Sequence, residues 1–99
     1  MNDFAVGEYV IIRTYSAGVH SGTLSSRQGG EVILLNSRRL WYWAGAASLS
    51  ELAMYGTSAP RRCKFSVMVD RILLTEAVEI IPTTNEGRSS IEGVNEWTS

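Results

Sequence analysis

Apolar and β-branched side chains gather along this chain in short runs separated by glycine, serine and asparagine, a rhythm that predicts strands joined by tight turns. Gly7-Glu8-Tyr9-Val10-Ile11-Ile12-Arg13-Thr14-Tyr15 reads as a first strand, turned by Ser16-Ala17-Gly18. From Val19 to Arg27 the alternation is looser. Val19, Ser21, Thr23 and Ser25 fall on one face and His20, Gly22, Leu24 and Ser26 on the other, with Gly22 placed for a bulge. Gln28-Gly29-Gly30 closes a hairpin, because consecutive glycines accept the positive φ that such turns require. The returning strand, Glu31 to Asn36, carries Val32-Ile33-Leu34-Leu35, apolar on both faces and therefore central. Asn36-Ser37 then turns the chain into Arg38-Arg39-Leu40-Trp41-Tyr42-Trp43.

Ala44-Gly45-Ala46-Ala47 ends that segment, and Ser48-Leu49-Ser50-Glu51 is a capping box. It predicts a short helix to about Tyr55, burying Leu49, Leu52 and Ala53 and stopped by Gly56. Thr57 to Lys64, with Pro60 and Arg61-Arg62, reads as an exposed basic loop. Phe65 to Asp70 and Ile72 to Ile81 read as further strands, the second ended by Pro82. Beyond it, Ile91, Val94 and Trp97 recur at spacing three, which predicts one helical turn docked on the sheet or on a neighbouring subunit. No repeat or low-complexity tract divides the chain, so residues 1–99 read as a single small domain with a polar C-terminal tail, 83–99. The expected fold is mainly β, a small bent-sheet barrel of the SH3-like or Sm-like kind with one short helix. Gly18-Val19-His20-Ser21-Gly22-Thr23-Leu24 followed by Glu31-Val32-Ile33-Leu34-Leu35-Asn36 resembles the Sm pattern of a bent second strand paired to an apolar third. Sm-like proteins form rings, so the resemblance implies a homo-oligomer.

Composition narrows the functional classes. Ninety-nine residues, 44% of them hydrophobic, support one core of marginal stability, which self-association would assist. A formal charge of -1 provides no global basic field, which argues against duplex DNA as a partner. The charge is uneven. Arg27 to Lys64 holds six basic side chains against two acidic, and Ile72 to Ser99 holds one against five. A single cysteine, Cys63, excludes an intramolecular disulfide, and a single histidine beside it leaves no dedicated zinc set, so neither metal nor cofactor is expected. The N-terminus carries no cationic apolar leader, and no apolar run approaches the ~18 residues of a membrane span. The expected setting is the cytoplasm.

Catalysis finds little support. His20 would need Ser16, Ser21 or Cys63 beside it and an orienting carboxylate such as Asp70, and no nucleophile elbow frames any serine. Glu76 and Glu79, three apart on a strand, face opposite ways. Gly29-Gly30 lacks the Lys-Ser that a phosphate loop demands. A non-enzymatic binder is therefore expected, and the densest candidate chemistry lies in Arg38 to Trp43, two guanidinium groups and three aromatic rings in six positions. In an extended segment Arg39, Trp41 and Trp43 share a face, which Arg13 and Tyr15 of the first strand could join. Arg13, Arg38, Arg39, Arg61 and Arg62 are the candidate phosphate ligands, and Tyr15, Trp41 and Trp43 the candidate stacking platforms. Ser48 at the helix start adds hydroxyl or N–H contacts. The ligand this set fits is a small phosphorylated molecule such as a cyclic nucleotide. Two alternatives stand beside it. The tryptophans could be core or interface anchors of a module that inhibits a host protein, or the sheet aromatics could bind single-stranded nucleic acid.

Val10 with Tyr15-Ser16-Ala17-Gly18-Val19, Arg38 through Ser50, Cys63-Lys64-Phe65 and Leu74 through Pro82 together resemble a family of short phage and prophage proteins of unassigned activity. The resemblance implies a viral origin and a host-cytoplasm setting. Short phage proteins often disable a host component, so it also implies sequestration of a small nucleotide signal of host defence.

Overall fold

The computed structural model describes residues 3–99, and its first strand, β1 (Tyr9–Thr14), is buried on both faces. Tyr9 and Ile11 point one way, Val10 and Ile12 the other, and each pair founds a core. Strands β2 (Val19–Gln28) and β3 (Glu31–Tyr42) follow as a meander, then helix α1 (Leu49–Tyr55) and a single 3-10 turn at Pro60–Arg62. The chain continues through β4 (Lys64–Phe65), β5 (Val69–Leu74), β6 (Ala77–Pro82) and helix α2 (Asn85–Gly93). All strand pairings are antiparallel, in the order β6-β1-β2-β3. Strand β3 is long enough to take two partners in succession, β5 along Val32 to Ser37 and β4 along Leu40 to Tyr42.

That order forces curvature. In a flat sheet β5 and β6 would lie four strand spacings apart, about 19 Å. Only Thr75 and Glu76 separate them, and the three peptide units from Leu74 to Ala77 reach at most about 11 Å. The sheet therefore bends back on itself, enclosing Val10, Ile12, Leu24, Val32, Leu34 and Leu74. No ladder joins β5 to β6 among the described residues, so the observed architecture is a strongly bent open sheet. On its other face, Tyr9, Ile11, Leu40 and Phe65 pack against Leu52 and Ala53 of α1 and Ile91 of α2.

The bulge expected at Gly22 is present, with its extra residue on the partner strand. Between the pairs Thr23–Leu35 and Ser21–Arg38, β3 carries Asn36 and Ser37 where β2 has Gly22 alone. Asn36 takes φ +50°, and a Cβ on Gly22 would stand 2.9 Å from the Leu35 carbonyl oxygen. Asn36-Ser37 is thus a bulge inside one continuous strand and not a turn between two. The slip exchanges faces: Val32 and Leu34 look into the bend, whereas Arg38 and Leu40 look toward the helices.

Helix α1 starts as expected. The Ser48 hydroxyl accepts the Glu51 N–H at 3.1 Å, while the Glu51 carboxylate accepts from Ala47 N–H at 2.6 Å. Three boundaries differ from the sequence reading. The strand expected over Phe65–Asp70 is interrupted after β4. The one expected over Ile72–Ile81 folds back at Thr75–Glu76, where the Ala77 N–H donates to the Gly30 carbonyl and the Tyr15 N–H to that of Glu76. Residues 83–99 hold a full helix, α2, capped by the Thr84 hydroxyl, which accepts the Gly87 N–H at 3.0 Å.

Candidate ligand-binding groove

The two arginines at the head of the Arg-aromatic run part company at the strand's alternation. Arg38 is 4% exposed. Its guanidinium donates at 2.9 Å to the carbonyls of Ser66, Ile91 and Val94 and at 3.3 Å to that of Phe65, and it lies over the Phe65 ring. These carbonyls include the last turn of α2, where the helix dipole is negative. Burial draws its pKa below the ordinary arginine value, and the guanidinium stays charged all the same. Arg38, expected as a phosphate ligand, instead fastens α2 to the sheet.

Arg39 faces the other way. With Leu40, Trp41 and Trp43 it lines a groove of about 360 Å³, whose opposite bank is the turn Ser16–Val19 between β1 and β2. Of the described residues lining that groove only Arg39 carries a charge, and its guanidinium has no ion pair or hydrogen bond among the described residues. Trp41 is 62% exposed and stacks on Trp97, ring centres 6.3 Å apart and planes within 10°. The Lys64 ammonium sits 5.3 Å from the centre of the Trp97 ring. Trp97 is held by its backbone N–H, which donates to the Phe65 carbonyl at 2.9 Å. Beside it a second hollow of about 590 Å³ is lined by Arg61, Pro60, Cys63 and the segment following α2.

The remaining expected ligands divide. Arg61 reaches that second hollow, whereas Arg62 is exposed outside both. Arg13 pairs with Glu79 at 3.1 Å on an exposed surface, a link worth at most about 1 kcal/mol. Tyr15, 81% exposed, adjoins the Ser16–Val19 bank without lining the groove. Ser48 spends its hydroxyl as the α1 cap. The structure thus gathers Arg39, Trp41 and Trp43 from the expected set and adds Trp97, Lys64 and the Ser16–Val19 turn. The recurrence of Ile91, Val94 and Trp97 hinted at docking, yet only Ile91 and Val94 are buried, because the chain leaves the helix at Gly93.

A family model described as a domain of unknown function, DUF6948, matches residues 7–91. The chain belongs to that family. The DUF6948 match takes in all six strands, Arg39, Trp41 and Trp43, and ends before Trp97. No curated protein and no solved structure matches the chain. Among the described residues of this DUF6948 chain, no three His, Cys, Asp or Glu side chains group to hold a metal ion, and no helix is long and apolar enough to cross a membrane.

His20 and Cys63 are both placed inside. The His20 Nε2–H donates to the Ala17 carbonyl at 2.8 Å. Burial, and then the charge of Arg39, hold its pKa below the ordinary histidine value. The Cys63 thiol is buried against the Ala44 carbonyl and the Thr57 hydroxyl.

Proposed function

We propose that this DUF6948 protein is a non-catalytic binder that takes a small phosphorylated, base-bearing molecule into the groove between β3 and the Ser16–Val19 turn. The carrying observation is that Arg39 and Trp41 of β3 and Trp43 just beyond its end line a single hollow of about 360 Å³, with the cation unpaired among the described residues. The indoles offer faces for a base, and Arg39 offers a fork for phosphate. The engagement of His20 Nε2 with a backbone carbonyl and the burial of Cys63 support binding over turnover. In the phage setting that the sequence resemblance implies, capture would remove a nucleotide signal of host defence from the cytoplasm.

Magnitudes refine this reading. One stacked base contributes about 1–3 kcal/mol and one charge-assisted arginine contact about 1.5–3 kcal/mol. Their sum, about 2.5–6 kcal/mol, corresponds to a Kd between about 10 mM and a few tens of μM before the cost of ordering the ligand. Tight capture therefore needs cations beyond Arg39, from Arg61 or from a second copy. Calorimetry with a panel of cyclic mono- and dinucleotides tests the proposal. Heat of binding that disappears in Arg39→Ala and Trp43→Ala is expected. A panel that gives neither heat nor any change in tryptophan emission would retire it.

One observation favours a companion reading of self-association. The exposed side chains of Val67, Met68, Val69 and Leu73 lie on or beside β5, whose outer edge meets no strand among the described residues. Unpaired apolar edges recruit further strands, and a second copy, or a host protein in the inhibitor reading, would satisfy this one. Light scattering on the purified chain and on Leu73→Glu separates these outcomes.

A further inference from the structure

Arg39 also lines a second, smaller cavity of about 70 Å³, which it shares with His20, Ser37 and Ser66 under a cover of Val67, Val69 and Ile72. His20 and Ser37 are each 1% exposed. The Ser66 hydroxyl is fully engaged, accepting the Arg39 N–H and donating to the Val67 carbonyl. The Ser37 Oγ is not. It meets no hydrogen-bond partner among the described residues, and a buried hydroxyl left unmatched is destabilising. Such a group marks a position that something else occupies. One water needs about 10–15 Å³, and this space is several times larger. An unpaired guanidinium, an unpaired hydroxyl donor and a lining without carboxylates are complementary to a tetrahedral oxyanion.

We propose that this cavity receives an oxyanion, a phosphoryl or sulfate group held by the Arg39 guanidinium and the Ser37 hydroxyl. The inference rests on the groove reading only for the organic part of a ligand. Arg39 is the wall common to both spaces, so a nucleotide stacked in the groove presents its phosphoryl here, whereas inorganic phosphate enters by itself. His20 reports the event, because an anion lodged beside it offsets the charge of Arg39 and favours the imidazolium. Arg39 is the charged group that acts on this ring, and the Ala17 carbonyl holds its Nε2.

His20 is the only histidine, so its Cε1–H resonance is a single unambiguous NMR signal. The full chain is titrated with inorganic phosphate, sulfate, adenosine monophosphate and adenosine, following that resonance and tryptophan emission. Inorganic phosphate and adenosine monophosphate are expected to shift His20 saturably and raise its pKa, and adenosine to leave it unmoved. Ser37→Ala removes only a hydroxyl without a partner among the described residues, so it holds or raises the unfolding midpoint while weakening phosphate binding about tenfold or more. A His20 signal indifferent to every phosphorylated probe, as with an ordered water only, overturns the inference, and so does an undiminished shift in Ser37→Ala. The two proposals separate cleanly. Adenosine monophosphate that alters tryptophan emission without moving His20 keeps the groove and sinks the oxyanion cavity. Phosphate that moves His20 while no nucleotide alters the emission does the reverse.

Discussion

Arg38→Ala is expected to be among the most damaging substitutions of a charged residue in this fold, although its neighbour Arg39 can be removed with little structural consequence. The Arg38 guanidinium makes three hydrogen bonds of 2.9 Å and one of 3.3 Å, all to backbone carbonyls. At about 1.5–3 kcal/mol for each charge-assisted bond, the three short ones give about 4.5–9 kcal/mol gross. Burying the guanidinium withdraws several kcal/mol of that. Removing the side chain also takes the guanidinium donor from the Val94 carbonyl, while the carbonyls of Phe65 and Ile91 keep only the bonds they accept from the backbone N–H groups of Trp97 and Val94. The net loss is about 3–5 kcal/mol, out of the ~5–15 kcal/mol typical of a domain this size. At about 4–8 °C per kcal/mol, the melting temperature falls by at least about 12 °C. Urea unfolding followed in parallel by tryptophan emission and far-ultraviolet dichroism measures it, the expected signature being a lower midpoint at constant slope. Arg38→Lys recovers part of the loss, because a compact ammonium cannot reach four carbonyls at once. Arg39→Ala stays within about 0.5 kcal/mol of the parent. If Arg38→Ala unfolds within 1 kcal/mol of the parent, the role assigned to this residue as fastener of α2 is wrong.

Gly87→Ala places a Cβ in collision with the Ala53 carbonyl oxygen, so α2 must retreat from α1. A loss of about 1–3 kcal/mol in urea unfolding is expected, and an unchanged midpoint would show that the helices do not pack this closely. For His20, burial and then Arg39 lower the folded pKa beneath the 6.5 of a free histidine, so the unfolded chain binds the proton first as pH falls. In phosphate-free buffer the stability it confers is complete above pH 6.5, declines from there down to the lowered value, and levels off below it. His20→Gln flattens that slope, and stability that rises on acidification below pH 6.5 in the parent alone would contradict the placement of the ring.

Much of the meander was legible because its signals are local. β-Branched runs, Gly29 at φ +59° in the hairpin and the Ser48 cap each declare themselves within a few residues. What escaped depends on contacts far along the chain. Leu73-Leu74-Thr75 gives no warning of a turn, and the fold-back there rests on bonds from Ala77 to Gly30 and from Tyr15 to Glu76. Helix α2, with Gly87 and paired serines, has poor intrinsic propensity. It forms because Gly87 lets it press against Ala53, because Arg38 gathers its last carbonyls, and because Ile91 fills the core. The same division holds at the groove. Strand alternation alone put Arg39, Trp41 and Trp43 on one face, whereas Trp97 is brought to Trp41 by a backbone bond to Phe65 that no spacing foretells.

Which arginine fastens and which stays free is decided by one residue of register. Had β3 run past Gly22 without slipping, Arg38 and Leu40 would have followed Val32 and Leu34 into the bend, and Arg39 would have met the helices. The extra residue at Asn36 and Ser37 reverses the parity, so that Arg38 finds the carbonyls at the end of α2. Arg39 shares a face with Ser37, His20 and Ile12 and lines a cavity with that hydroxyl and imidazole, its guanidinium without a hydrogen-bond partner among the described residues. An identical side chain is thus a structural clamp at one position and an unspent cation at the next. It follows that Asn36, holding a φ few non-glycine residues adopt, and Gly22, where a Cβ would collide with Leu35, determine the candidate site without lining it.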